Sequence, residues 1–388
     1  MTGTFHIYIY RSGSDARGGA ASGAHARGGA GAAGTAGNDR GGAWPAGVPR
    51  GAARPAQDGA APAASPPPAR PGEEPVVAGI DLGGTKIALG LVDRQGQVLA
   101  GRTLPTDAPS GPAAAMDRIA AAVRDLAEEA GRRPQAVGVG APGPLVLPEG
   151  RFAGTPNLPG WNGFALRDQL AARLGLPVAV NNDANAAALA EARLGAGRGA
   201  EVMVYVTVGT GIGGGLVIGG RLFSGVNGNG VEIGHTTVDP DGPSCGCGNR
   251  GCWEAVAAGP ALGRLATERL GPPPGRPGGR WTARELLDAA AAGDERARAV
   301  AEEYARLLGI GLASAVNLFN PDRLVLGGGV MARYPLLAPA MEAEMRRRAL
   351  PANLAAVTLV PAALGKDAGL VGAALLAWDL LDEPAPRR

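Results

Sequence analysis

The sequence predicts an α/β protein built as two lobes, on three observations. From Val76 onward the order strand, strand, strand, helix, strand implies a mixed sheet. A later stretch repeats the pattern of strand, Gly-Thr turn and hairpin, which points to an internally duplicated architecture. The chain beyond residue 75 is long enough to bury a sizeable core in two parts.

Residues 1–75 precede that fold. They are dominated by Gly, Ala, Pro, Arg and Ser and carry almost no apolar periodicity, so they predict a disordered, low-complexity tail. The run F-H-I-Y-I-Y at Phe5–Tyr10 lacks the flanks of a signal peptide. A first lobe is then expected over 76–190. Its first strand, V-V-A-G-I-D, ends in Asp81, and I-A-L-G-L-V-D and Q-V-L-A-G-R-T alternate around the turn D-R-Q-G. An Ala- and Leu-faced helix over Ala113–Ala130 and a buried strand ending at Ala141 follow. Val178 starts a strand that runs into an Ala-rich helix. The second lobe, 191–388, opens with a buried strand over Val202–Val208, a hairpin over Ile212–Ile218 and Arg221–Ser224, and then helices. Further helices are expected over Asp294–Phe319 and Arg333–Arg348, around a strand at Leu324–Leu326. A closing helix over Asp367–Leu381 could pack back on the first lobe.

Composition excludes several functions. The 37 basic and 35 acidic residues nearly balance, which argues against nucleic-acid or membrane-surface partners. No apolar run is long enough to predict a transmembrane helix. The 3 cysteines are clustered and odd in number, which argues against a disulfide framework and for a reducing cytoplasm.

Several motifs carry chemistry. D-L-G-G-T-K (Asp81–Lys86) puts two glycines, a hydroxyl and a cation at a strand end. Gly83, Gly84, Thr85 and Lys86 suit a phosphate, and Asp81 suits a hydrated Mg²⁺; a plain hairpin turn is the other reading. G-T-G-I-G-G-G (Gly209–Gly215) contains G-x-G-x-x-G, but strand rather than helix follows, so a dinucleotide site is rejected. A second phosphate turn at Gly209, Thr210 and Gly211 is read instead, beside a simple glycine hairpin. Gly327–Gly329, between a strand and a helix, could line an adenosine pocket or form a tight connection. In V-A-V-N-N-D-A-N, Asn182 and Asp183 suit either helix caps or a substrate-facing strand end where a carboxylate takes a proton from an alcohol. The loop T-P-N-L-P-G-W-N-G (Thr155–Gly163) could contact a sugar ring or merely connect elements. Finally, Cys245, Cys247 and Cys252 form C-x-C-x4-C downstream of His235, the only histidine outside the tail. One His and three Cys make a closed zinc set, with incidental free thiols as the alternative.

Together these segments resemble the ROK family of repressors and kinases, and within it the sugar kinases of glucokinase type. The resemblance rests on D-L-G-G-T-K, A-P-G-P, N-L-P-G-W, N-N-D-A-N-A-A-A, V-T-V-G-T-G-I-G-G-G, G-V-E-I-G-H, C-G-C-G-N-R-G-C-W-E and L-G-G-G-V, in that order from Asp81 to about Gly329. It implies an actin-like (ribonuclease H-like) ATPase fold with nucleotide and sugar meeting in a cleft between the lobes. It also implies ATP, Mg²⁺ and a structural Zn²⁺, a cytoplasmic location and a homo-oligomer, dimer or tetramer. Asp183 matches the base that deprotonates the sugar hydroxyl, and Asn157, Asn182, Glu232, His235 and Glu254 match sugar contacts. His235, Cys245, Cys247 and Cys252 match the zinc ligands, with the second nitrogen of His235 facing the sugar. Asp81, the Gly83–Lys86 turn and Thr210-Gly211 match the Mg²⁺ and phosphate region. The implied activity is ATP-dependent phosphorylation of glucose. The alternatives are another hexose (fructose, mannose, N-acetylmannosamine or N-acetylglucosamine) or a non-catalytic sugar-sensing regulator. The tail carries neither helical periodicity nor a basic recognition helix, which weighs against a repressor. On this reading the metal serves the sugar, so Cys247→Ser would raise the sugar's KM or unfold the loop and leave the ATP-site residues unchanged.

Overall fold

A computed structural model describes residues 74–147, 149–155 and 158–382. The expected disordered tail therefore lies outside the described residues almost entirely.

The first half runs β1 (Val76–Leu82), β2 (Lys86–Val92), β3 (Val98–Pro105), α1 (Gly111–Ala130) and β4 (Pro134–Ala141). A two-residue hairpin, β5 (Leu145–Val146) and β6 (Arg151–Phe152), leads to α2 (Leu166–Leu174), β7 (Val178–Asn182) and α3 (Asp183–Leu194). The second half runs β8 (Val202–Val208), β9 (Ile212–Ile218), β10 (Arg221–Phe223), α4 (Trp253–Ala257), α5 (Gly259–Leu270), α6 (Ala283–Ala291), α7 (Glu295–Phe319) and β11 (Arg323–Gly327). It closes with α8 (Tyr334–Arg348), α9 (Pro351–Ala356), β12 (Thr358–Pro361) and α10 (Ala368–Asp382).

Local chemistry sets many of these limits. Asp294 caps α7 by accepting from the Arg296 and Ala297 N–H groups, and Thr282 with Glu285 makes a reciprocal capping box on α6. Gly131 ends α1 in the left-handed conformation. The hairpin β5–β6, helix α2 and edge strand β12 were not foreseen. β5, β6 and β12 are too short to show an alternation, and β12 (T-L-V-P) is only half-buried; α2 carries its leucines Leu166, Leu170 and Leu174 at helical spacing, but over only two turns.

The duplication is plain in the sheets. One has the order β3-β2-β1-β4-β7 and the other β10-β9-β8-β11-β12. In each, a strand hairpin runs antiparallel on one side of the first strand and two parallel strands lie on the other. This is the two-lobed actin-like arrangement, with mixed sheets. Register brings the carboxyl ends of β1, β4 and β7 together, since Asp81 pairs with Gly140 and Ala141 with Asn182. Open α/β sheets bind ligands at such ends.

Two helices lie at the seam. The boundary expected between residues 190 and 191 falls inside α3, which packs on β4 and β7 of one sheet and on β8 and β9 of the other. Close approach needs small residues on both sides: a Cβ on Gly215 of β9 would lie 2.4 Å from the Ala188 Cβ of α3. Gly213 and Gly215 of β9 and the alanines of α3 are thus two sides of one packed surface, while Gly214 faces Ile233 on the other side of the sheet. Helix α10 packs on β1, β4 and α3, where a Cβ on Gly372 would fall 1.8 Å from the Ala186 carbonyl oxygen.

Each sheet has its own core. Ile80, Leu82, Leu89, Met116, Phe152 and Trp161 fill the first; Val204, Val206, Leu262, Tyr304 and Leu312 fill the second. Trp253, from the cysteine motif, is fully buried in the second core and donates from Nε1 to the Leu307 carbonyl at 3.2 Å.

Candidate active site and metal cluster

Asp183 opens α3 directly after β7, with Asn182 as its cap. The Asn182 Oδ1 accepts from the Ala184 N–H at 2.9 Å and the Asn185 N–H at 3.4 Å, so the capping role is real; its Nδ2 lies beside Gly143. Asp183 Oδ1 accepts from the Ala184 N–H at 2.8 Å. Loss of hydration, reinforced by the negative charges of Asp81 and Glu232, lifts its carboxyl from the ordinary 3.8 to about 6, against the lowering effect of the Ala184 bond. Beneath it lies a buried amide pair that sequence reasoning missed. Asn185 donates from Nδ2 to Asn181 Oδ1 at 3.0 Å, which also accepts the Asn182 N–H at 2.8 Å.

Asp81 stands at the end of β1 against the start of α10, where a Cβ on Gly369 would come within 2.7 Å of its carboxyl carbon. Burial raises its pKa, and Lys86 opposes that shift. The Gly83–Lys86 turn is closed by one internal bond, Gly83 N–H to the Lys86 carbonyl at 3.0 Å. Gly84, Thr85 and Lys86 are exposed.

The second turn sits equivalently between β8 and β9. Gly209 donates to the Gly211 carbonyl at 2.9 Å, and the Gly209 carbonyl accepts from Gly259 at 2.8 Å. A cavity of about 700 Å³ opens beside it, lined by Thr210, Pro260, Leu287, Gly329, Val330 and Arg333 among others. Gly329 faces this cavity, whereas Gly327 packs on the Tyr205 ring and Gly328 on the Val208 backbone. Gly328 has φ 89, a conformation that favours glycine. Arg333, which donates to Asp288 Oδ1 from Nη2 at 2.7 Å, is a lining residue that no motif announced.

His235, Cys245, Cys247 and Cys252 gather with all four ligand atoms within 4.8 Å of one another. Cys247 Sγ lies 3.7 Å from Cys252 Sγ, and Cys245 Sγ lies 3.7 Å from His235 Nδ1. Tetrahedral zinc, with Zn–S of about 2.3 Å, sets its sulfurs about 3.8 Å apart. The cluster thus fits zinc in both donor set and spacing. Trp253 ties the motif to the second core, and its neighbour Glu254 reaches the second turn: Glu254 Oε2 accepts from the Ile212 N–H at 2.9 Å, with Oε1 3.9 Å from Cys245 Sγ. Glu232 precedes the short helical turn that carries His235; desolvation raises its carboxyl, and Glu254 adds to the shift while His235 opposes it. Val231, next to it, holds φ 63, a strained conformation for a β-branched residue. Asn157 lies outside the described residues.

The ROK family profile matches residues 77–379. The chain belongs to the ROK family. Among its ROK relatives, a glucokinase of Streptomyces coelicolor is 39% identical over 320 residues, covering 79% of this chain and 98% of that protein. An N-acetylmannosamine kinase of Escherichia coli is 38% identical over 299 residues, covering 77% and 97%. Among solved structures, a ROK family glucokinase from Streptomyces griseus in complex with glucose and AMPPNP aligns with TM-score 0.67 at 39% identity, covering 78% of this chain and 99% of that one.

Proposed function

We propose that this ROK protein is an ATP-dependent hexose kinase that phosphorylates glucose at its 6-hydroxyl, with Asp183 as the base. The observation that carries this reading is the Asp183 carboxyl, lifted to about 6 at a strand end that neighbours Asp81 of the first turn and Gly213 beyond the second. A base with that pKa is ionised at neutral pH yet holds a proton well enough to remove one from an alcohol as it attacks.

Phosphoryl transfer asks mainly for position and charge. Asn182, Glu232, His235 and Glu254 bind and orient the sugar, with Asn157 assigned by the family motif. Each carboxylate can accept from two hydroxyls, so a sugar with the wrong stereochemistry leaves an acceptor unpaired where the bound sugar excludes water. The hydroxyl proton passes to Asp183 as the new O–P bond forms and the bond from the γ-phosphorus to the bridging oxygen breaks. The turns Gly83–Lys86 and Gly209–Gly211 hold the phosphates, and the cavity beside Thr210 has the size of a nucleoside site, which supports ATP over polyphosphate. Asp81 and Asp183 place two neighbouring negative charges where Lys86 is the cation acting on Asp81, a setting that suits Mg²⁺. When bound, Mg²⁺ neutralises phosphate charge. Zinc at His235 and the three cysteines is structural and leaves the second ring nitrogen of the histidine for the sugar.

The test is a coupled assay over a panel of hexoses, with ATP and with polyphosphate. Glucose with ATP is expected to give the highest kcat/KM. The similarity to an N-acetylmannosamine kinase supports the second reading, a different hexose. Preference for N-acetylmannosamine, mannose or fructose would select it, and no ADP release with any sugar would reject the kinase.

A further inference from the structure

We propose that Thr106 and Arg118 are positioning residues that hold the Gly83–Lys86 turn in its phosphate-accepting shape. The inference rests on the donor role given above to that turn. Two adjacent glycines leave the turn with much conformational freedom, and its single internal hydrogen bond does little to remove it. Thr106, just past β3, supplies the missing constraints. Its hydroxyl donates to the Gly83 carbonyl at 2.6 Å and its N–H donates to the Thr85 carbonyl at 2.9 Å. One fully buried residue therefore grips the turn at two carbonyls.

The grip has a direction. In a trans peptide the carbonyl of one residue and the N–H of the next point opposite ways. Holding the Gly83 carbonyl against Thr106 turns the Gly84 N–H away from it. An anion needs N–H groups facing it and carbonyls facing elsewhere, because a carbonyl oxygen repels a phosphate oxygen. Thr106 thus engages two carbonyls that would otherwise be free to turn toward the donor.

Thr106 is itself held from behind. Arg118, on α1, donates from Nη2 to the Thr106 carbonyl at 2.6 Å and lies 3.9 Å from Asp107. Its Nε is enclosed without a partner, so the guanidinium is kept in place at some cost in hydration. The chain of contacts runs from α1 through Thr106 to the turn, and neither residue belongs to a motif that carries the family resemblance.

The experiment compares Thr106→Val, which keeps shape and loses the hydroxyl, with Thr106→Ser, which keeps the hydroxyl. Calorimetric Kd for AMPPNP is measured beside KM for ATP and for the sugar. The valine variant is expected to weaken AMPPNP and raise KM for ATP by roughly tenfold, the effect of one buried hydrogen bond with an acceptor left unpaired. Sugar KM should stay within about twofold, and serine should restore AMPPNP binding to within about threefold of wild type. Wild-type AMPPNP affinity in the valine variant overturns the proposal. So does an equal loss for donor and sugar that serine fails to rescue, since that marks a merely structural role. If the valine variant does not fold, Arg118→Met decides in its place: selective loss of AMPPNP binding supports the strut, and unchanged affinity rejects it. Lack of activity in wild type would reject the kinase reading, while the AMPPNP ratio would still judge the strut.

Discussion

The two glycine turns occupy equivalent places in the duplicated fold and are braced by different means. The first, between β1 and β2, is gripped by Thr106 and Arg118, neutral backbone acceptors meeting a hydroxyl, an amide and a guanidinium from the same half. The second, between β8 and β9, is braced by the segment that follows the cysteines: Glu254 accepts the Ile212 N–H, and Gly259 donates to the Gly209 carbonyl. Duplication reproduced the strands and not the supports. The second turn therefore depends on the loop that gathers the metal ligands, and the first does not. The expectation that Cys247→Ser would spare the ATP side does not follow from this geometry, because Glu254 joins the cysteine cluster to the second glycine turn.

The largest expected effect is at Asp183, the proposed base. Asp183→Asn should lower kcat by about 10²–10⁴-fold, the range for loss of a general base, and leave AMPPNP and sugar affinity within about threefold. Lost AMPPNP affinity in that variant would show that the residue shapes a turn instead of taking a proton.

Next is the metal. Purified protein should contain about one zinc per chain, and Cys247→Ser should raise KM for both sugar and ATP, each by roughly tenfold. A rise confined to the sugar would break the proposed tie through Glu254. Glu254→Ala sharpens the point: it should weaken AMPPNP severalfold with zinc content unchanged by elemental analysis, since Glu254 is not among the four ligands.

A separate effect is on stability. The folded-state pKa of Asp183 lies above its unfolded value, so the native state binds the proton more tightly. This contribution favours folding below pH ~4 and is lost as pH rises through about 6, leaving a cost of about 3 kcal/mol at neutral pH. Urea midpoints should accordingly show Asp183→Asn more stable than wild type at pH 7 and equal to it near pH 4. Activity should fall below pH ~6 in the wild type as the carboxylate takes up its proton.

Much of this was legible along the chain. The strands of both hairpins and the helix starting after N-N-D have clear apolar periods or caps, and α7 and α10 were placed to within a residue or two at each end. C-x-C-x4-C with a single upstream histidine was enough to point to the four residues that the structure gathers, because donor type and spacing are local properties. G-I-G-G-G was legible only in part. It reads as a phosphate turn, yet Gly213 and Gly215 are small because α3 lies against them. Asn185 lies inside the N-N-D-A-N motif, but its buried bond to Asn181 shows only in the structure; Thr106, Arg118 and Arg333 gave no functional signal, since each acts on partners distant in sequence and an isolated Thr or Arg has no period.

The sequence by itself determined the two-lobed fold class, the two turns, the gathering of His235 with the three cysteines and the placing of Asp183 at a strand end, since each follows from local patterns of side chains. Tertiary structure alone decided what holds each turn, how closely α3 and α10 approach the sheets, and why the Asp183 carboxyl is lifted. Those properties depend on desolvation and on hydrogen bonds between residues brought together only when the sheets and helices pack.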